Sequence, residues 1–479
     1  MTFLGIDLGT TSVKAAVFRP DGTRVAGASR PHPTHRPEPG FAEQHASDWW
    51  DGLSSVISSL SDALDGLTAV GVCSQVNTHV LCGSSGEALH PAITWQDRRC
   101  ASVLSSLESR LSPSARADVR GGLGTIDVTH PAARLEWLTA NRPSARDSAR
   151  WLLSPKDLLV LWLTGTAAAD PISSIGLVDA SGTYPSWLDS LVPGLTALLP
   201  PLGDPAAVAG TTTGAGGLPP GLPVAHGTMD AWAGLLGGGV AGPGDAIDIA
   251  GTSEVVAMAS GPGGGAPGIV TFPPWRDLHV HAGPTQAGGD ALDWVARLLD
   301  RSLTDALALA ASTGPGAGGV VFLPQLAGER APLWDPHLRA HWIGATSETG
   351  PAELARAGLE GVAHAARHVL EAVESAGGST ASSLAVCGGG AASDLWCQVK
   401  ADVLDRPLRR TAERDAGVLG AAMLGALAAG EAATIPELAA RMVRTECEFV
   451  PDPAVRDLYD DAHARYREAQ RRLSDLYVP

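Results

Sequence analysis

Phe3, Leu4 and Ile6 read as a buried strand, Gly9-Thr10-Thr11 as a tight turn, and Ser12 to Phe18 as a returning apolar strand. The same order recurs far along the chain. Asp245-Ala246-Ile247-Asp248-Ile249-Ala250-Gly251-Thr252-Ser253-Glu254-Val255 is again strand, Gly-Thr turn, strand. Gly9 and Gly251 lie 242 residues apart in a chain of 479, about one half. One hairpin per half points to an internal duplication of one domain type. Each turn offers backbone N–H groups and hydroxyls to an anion. Only the first copy carries a carboxylate just before the turn, because Ile249 stands where the first has Asp7. Only the first can therefore hold a divalent cation. The pattern predicts a single active site in a cleft between two similar halves.

Bulk properties narrow the function. The chain is too long for one core and suits two domains, 1–242 and 243–479. Its 44% apolar and 18% charged residues are those of a globular protein. A net charge of −17 argues against nucleic acid or an anionic membrane as partner. Lysine occurs only at Lys14, Lys156 and Lys400. None of the six cysteines forms a C-x-x-C pair, which suits small buried hydrophobes in a reducing compartment. The first residues enter a strand at once, and no apolar run could span a bilayer, so the expected location is cytoplasmic.

Along the chain, Ser47 is the expected cap of a helix running to about Leu64, and Leu67 to Val72 of a strand. Residues from about Ala101 to Leu163 read as helices broken by Pro113, Pro131, Pro143 and Pro155. The Pro, Gly and Thr of Leu198 to Gly221 suggest a surface excursion. A helix opens at Thr228-Met229-Asp230. Glu353 to Ser375 is a long amphipathic helix, Leu384 to Cys387 a buried strand, and Ser393 to Leu404 a helix. A small-residue helix follows Asp415-Ala416-Gly417, and Asp452 to Leu476 closes the chain as another.

Several segments in order resemble the FGGY sugar kinases, a branch of the actin/Hsp70/hexokinase-like ATPases. They are Gly5-Ile-Asp-Leu-Gly-Thr-Thr-Ser-Val-Lys14, Pro39-Gly-Phe-Ala-Glu-Gln44 before Trp49-Trp50, Trp95-Gln-Asp-Arg98, and Ser154-Pro-Lys-Asp157 with Leu163-Thr-Gly165. Asp230, Gly251-Thr-Ser253 and Gly328-Glu-Arg-Ala-Pro332 follow. Gly388-Gly-Gly-Ala-Ala-Ser-Asp-Leu-Trp-Cys-Gln398 with Ala401-Asp402 matches the family's C-terminal signature. The resemblance implies an α/β fold of two actin-like (ribonuclease H-like) ATPase domains, each on a mixed five-stranded sheet, closing over ATP and sugar.

It also implies roles. Asp230 is the general base, and its place at a helix start should favour the ionised form. Asp7 associates with Mg²⁺, and Thr10, Thr11 and Lys14 lie beside the phosphates. Gly251 and Thr252 form the second phosphate turn. Gly388, Gly389, Gly390 and Ser393 flank adenosine, and Gly289 lines the nucleotide site. Gln75, Val76, Asn77, Trp95 and Asp97, together with Asp230, frame the sugar. Gln75-Val76-Asn77 departs from the Gln-Met-His of xylulokinases and lacks the Arg-Glu pair of glycerol kinases; Ala231 replaces an Asn or Gln of many relatives. The first expected substrate is D-xylulose. Ribulose, L-xylulose and erythritol are alternatives, and a non-kinase actin- or Hsp70-like ATPase is a different class. Homodimers are common in such families; no interface is visible in the sequence.

Overall fold

The computed structural model describes residues 1–119, 126–474 and 476–477. The chain forms two compact units. The first comprises Met1–Gly237, Phe272–Arg276 and Asp415–Val443; the second comprises Gly238–Thr271, Asp277–Arg414 and Arg444–Pro479. The first unit thus takes a helix from far beyond residue 242, where the sequence suggests a boundary.

In the first unit, β1 (Thr2–Leu8), β2 (Ser12–Phe18), β3 (Arg24–Pro31), β4 (Leu67–Ser74), β5 (Val208–Thr211), β6 (Pro223–Ala225) and β7 (Thr228–Met229) make one sheet. Its order is β3-β2-β1-β4-β6-β5, with β7 also paired to β4. β1, β2 and β3 are antiparallel neighbours, β4 and β6 run parallel to β1, and β5 returns antiparallel. In the second unit the strands are β8 (Ala246–Ala250), β9 (Glu254–Ser260), β10 (Val270–Thr271), β11 (His279–Thr285), β12 (Leu384–Cys387), β13 (Leu408–Thr411) and β14 (Thr445–Phe449). Their order is β10-β11-β9-β8-β12-β13-β14. From β11 to β14 every neighbour has the sense of its counterpart from β3 to β5. Each sheet has seven strands rather than the five expected. The extra pairings come from short strands that sequence patterning passes over. One is β5, inside the Pro- and Gly-rich stretch read as an excursion; its residues are half-buried or exposed, so no apolar alternation marks it.

The four prolines expected to break helices instead start them. Helices span Pro113–Asp118, Pro131–Asn141, Pro143–Ser148 and Pro155–Thr164, each with proline in its first turn, where a missing N–H costs nothing. Part of that stretch, 120–125, lies outside the described residues. The helix Ala46–Ser59 starts one residue before Ser47, and no side chain caps it.

The helix Ala416–Ala428 is buried almost throughout, and its alanines and glycines let it lie directly on the first unit's sheet. A Cβ at Gly71 of β4 would collide with the Ala421 carbonyl, and one at Gly420 would collide with the Ala233 carbonyl. Backbone therefore meets backbone on both sides of this helix, a contact no larger side chain permits. Among the described residues no helix is long and apolar enough to cross a membrane. Gly420→Ala should lower the urea midpoint with little change in m, a loss of about 1–3 kcal/mol from overpacking.

Candidate functional site

Strand register assembles the acidic centre of the first unit. Asp7 in β1 sits opposite Lys14 in β2 and opposite Cys73 in β4. On the other side of β4, Thr228 pairs with Cys73 and Met229 with Ser74. Asp230 follows directly as the first residue of the helix Asp230–Gly237. The helix Ala416–Ala428 begins beside all three: a Cβ on Gly417 would lie 3.7 Å from Asp7 Oδ2, 3.8 Å from the Asp230 carbonyl oxygen and 4.0 Å from Cys73 Sγ. The Cys73 thiol donates to the Gly417 carbonyl at 3.5 Å. Lys14 Nζ donates to Asp415 Oδ1 at 2.7 Å, and Arg24 reaches Asp415 Oδ2 at 3.4 Å.

Burial dominates the electrostatics. It pushes Asp230 up to about 7, and the nearby Asp7 charge adds to the rise; the Ala231 N–H, donating at 2.7 Å, pulls the other way. The expectation that a helix start keeps this carboxylate readily ionised is therefore corrected: loss of water outweighs the helix amides. Burial also raises Asp7 to about 6, against the pull of Lys14 and the Cys73 hydrogen bond. Lys14 loses some preference for its charge through burial, but the bond and charge of Asp415 more than restore it. Asp7 Oδ1 is buried without a hydrogen-bond partner, an acceptor that fits a water of a hydrated divalent cation.

The residues expected around the sugar divide into two kinds. Trp95 is 43% exposed, and its indole N–H donates to Thr10 Oγ1 at 2.9 Å. Val76 and Asn77 are half-buried, and Asn77 has a left-handed φ of 59°, which asparagine tolerates. Gln75 is 1% exposed, and its amide is held by Gln44 and Thr78. Asp97 is fully buried: its oxygens accept from the Ala42 and Arg99 backbone and from the Arg99 and Arg134 guanidinium groups. No oxygen of Asp97 faces open space, so it fixes the loop behind Trp95 rather than offering itself to a ligand.

In the second unit the Gly251-Thr252 turn rests on the start of the helix Gly289–Leu298. Gly289 N donates to the Gly251 carbonyl at 2.9 Å, and Asp290 N to that of Thr252 at 3.1 Å. Parallel pairing of Ile249 with Cys387 brings Gly388, at φ 87°, to the same sheet edge. Gly389 borders open space. Ser393 Oγ accepts from Trp396 N at 3.3 Å and so caps the helix Asp394–Leu404.

Sequence reasoning missed a buried ion cluster behind this turn. Lys400 Nζ donates to Asp248 Oδ2 at 2.6 Å and also binds Glu254, whose carboxyl burial pushes up to about 8. Asp248 and Glu254 bracket the Gly251-Thr252 turn, one on each strand. The available signal was an aspartate inside an otherwise apolar strand. Lys156 repeats the theme in the first unit, paired with Asp157 at 2.5 Å and Asp170 at 3.0 Å.

As pH drops through about 7 and then 6, Asp230 and then Asp7 take up protons. Asp230 titrates higher in the fold than a free aspartate does, so native stability declines as pH rises from the ordinary carboxylate range to about 7 and is regained as pH falls. Asp230→Asn should therefore raise the melting temperature at pH 8, by an amount that shrinks as the pH is lowered.

Comparison with known proteins shows which family the chain belongs to. The N-terminal domain of the FGGY family of carbohydrate kinases matches residues 2–237, and its C-terminal domain matches residues 249–429. A xylulose kinase of Escherichia coli (strain K12) is 30% identical over 99% of both chains. A glycerol kinase of Aromatoleum aromaticum is 33% identical over 98% of both. The crystal structure of a xylulose kinase from Rhodospirillum rubrum superposes with a TM-score of 0.89 at 28% identity, covering 100% of each chain. The chain belongs to the FGGY family of carbohydrate kinases and is an ATP-dependent sugar kinase.

Proposed function

We propose that the acceptor is a ketopentose, D-xylulose in the first place, phosphorylated to D-xylulose 5-phosphate with Asp230 as general base. The observation that carries the base assignment is the position of Asp230: a carboxylate titrating near 7, beside a second acid, at the end of the central strands. The acceptor hydroxyl gives its proton to Asp230 as its oxygen attacks the γ-phosphorus of ATP. The bond from that phosphorus to the β–γ bridging oxygen breaks, and ADP leaves with the electron pair. A base whose proton affinity matches the working pH serves best.

Asp7 is the residue that would hold Mg²⁺, through water at its unpartnered Oδ1. When bound, the ion neutralises charge on the phosphate oxygens. Thr10, Thr11 and Lys14 bind phosphate, with Asp415 holding Lys14 charged. Gly251, Thr252, Gly289, Gly389 and Gly390 contact the nucleotide through backbone, and Ser393 supports them as a helix cap. Trp95, Val76 and Asn77 contact the sugar, Gln75 aligns them, and Asp97 anchors the loop from behind.

Xylulose kinase and glycerol kinase relatives are about equally similar, so the local residues decide. Gln75-Val76-Asn77 lacks the Arg-Glu pair of glycerol kinases, which favours a ketose. Ribulose, L-xylulose and erythritol remain the competing acceptors.

A coupled ADP-release assay across D-xylulose, L-xylulose, D-ribulose, L-ribulose, erythritol and glycerol tests the reading. D-xylulose should show the highest kcat/KM; a higher value for glycerol would reject the ketopentose assignment. Asp230→Ala should abolish phosphorylation and leave ADP binding within about threefold of wild type. Full turnover by that variant would remove Asp230 from the mechanism.

A further inference from the structure

Gln44 lies outside every role assigned above, yet it is wholly buried and uses all of its amide capacity. Its Nε2 donates to the Thr10 carbonyl at 2.7 Å and to Thr34 Oγ1 at 2.8 Å. Its Oε1 accepts from Trp49 Nε1 at 3.1 Å and Gln75 Nε2 at 2.8 Å. The orientation of this amide is dictated from both ends. An indole N–H can only donate and a carbonyl can only accept, so oxygen must face Trp49 and nitrogen must face Thr10.

The bonds continue into a closed circuit. Gln75 Oε1 accepts from Thr78 Oγ1 at 3.1 Å, which accepts from Trp95 N at 3.2 Å. The Trp95 indole then returns to Thr10 Oγ1 at 2.9 Å. Each donor and acceptor has one permitted direction around the circuit. Thr10 closes it at both its carbonyl and its hydroxyl. Because the hydroxyl oxygen accepts from an indole, its own proton is left to donate to an anion.

We propose that Gln44 is a positioning residue: through this circuit it holds the phosphate turn in register with the segment carrying Gln75 and Trp95. The Thr10 hydroxyl proton and the turn amides are thereby aimed before a phosphate arrives. Preorganised donors of this kind lower the barrier without reorganising during the reaction. The proposal rests on the reading of Thr10 and Trp95 as site residues and not on the identity of the acceptor.

Gln44 and Trp95 share no hydrogen bond with each other, so energetic coupling between them reports on the circuit. Gln44→Glu keeps the side chain's size but places a carboxylate oxygen against the Thr10 carbonyl. Trp95→Phe keeps an aromatic ring but removes the indole donor. kcat is measured for each variant and the double variant, with whichever acceptor of the panel the wild type phosphorylates fastest. We expect about a tenfold loss for Gln44→Glu, about fivefold for Trp95→Phe, and about tenfold for the double variant, with KM for ATP within threefold. A double variant near the multiplied loss, about fiftyfold, would overturn the proposal. So would a lowered melting temperature with unchanged kcat per folded molecule, the signature of a merely structural glutamine. If Gln44→Glu does not fold, Gln44→Met replaces it under the same outcomes; failure of both to fold, with normal kcat in Trp95→Phe, also overturns it. An unchanged acceptor KM in Trp95→Phe would reject the sugar contact alone.

Discussion

Withholding water from two neighbouring carboxylates is costly, and much of the first unit is arranged around that cost. Asp7 and Asp230 repel one another at the end of the central strands, and each is driven toward its neutral form. Lys14 offsets part of the repulsion but is itself tied to Asp415. The helix Ala416–Ala428 can close over the pair only because it lacks bulky side chains on the faces that touch strand and helix. Acid–base poise, strand register and backbone packing are thus a single problem with one solution in this unit.

The two sheets show what duplication preserves and what it releases. Six strands keep the same order and sense in each unit. The polar content behind the hairpins has diverged. The first copy carries an acid facing its turn at Asp7. The second carries acids at Asp248 and Glu254, both closed off and clamped by Lys400. A carboxylate that is reachable can serve a ligand, whereas one sealed against lysine can only hold the backbone in place.

What was readable in the sequence followed from local chemistry. The hairpins, the buried strand Leu384–Cys387 and the long helix Pro351–Gly377 announce themselves through apolar period and turn residues. The short edge strand β5 did not, because its partners come from backbone pairing rather than side-chain pattern. The family resemblance singled out Asp7 and Asp230, but their proton affinities depend on how much water the folded chain excludes, which no motif records. Gln44 was visible as part of a motif; its four bonds come from residues scattered across a long stretch of chain.

The pairing of all three lysines has a practical side. Lys156 and Lys400 are sealed, each about 1% exposed at the side chain, while Lys14 remains 39% exposed. Apart from the terminal amine, an acylating reagent meets one accessible nitrogen, and it lies across the strand pair from Asp7. Ordinary amine-directed labelling or surface coupling of this enzyme would thus fall on the strand beside Asp7 rather than spread over its surface.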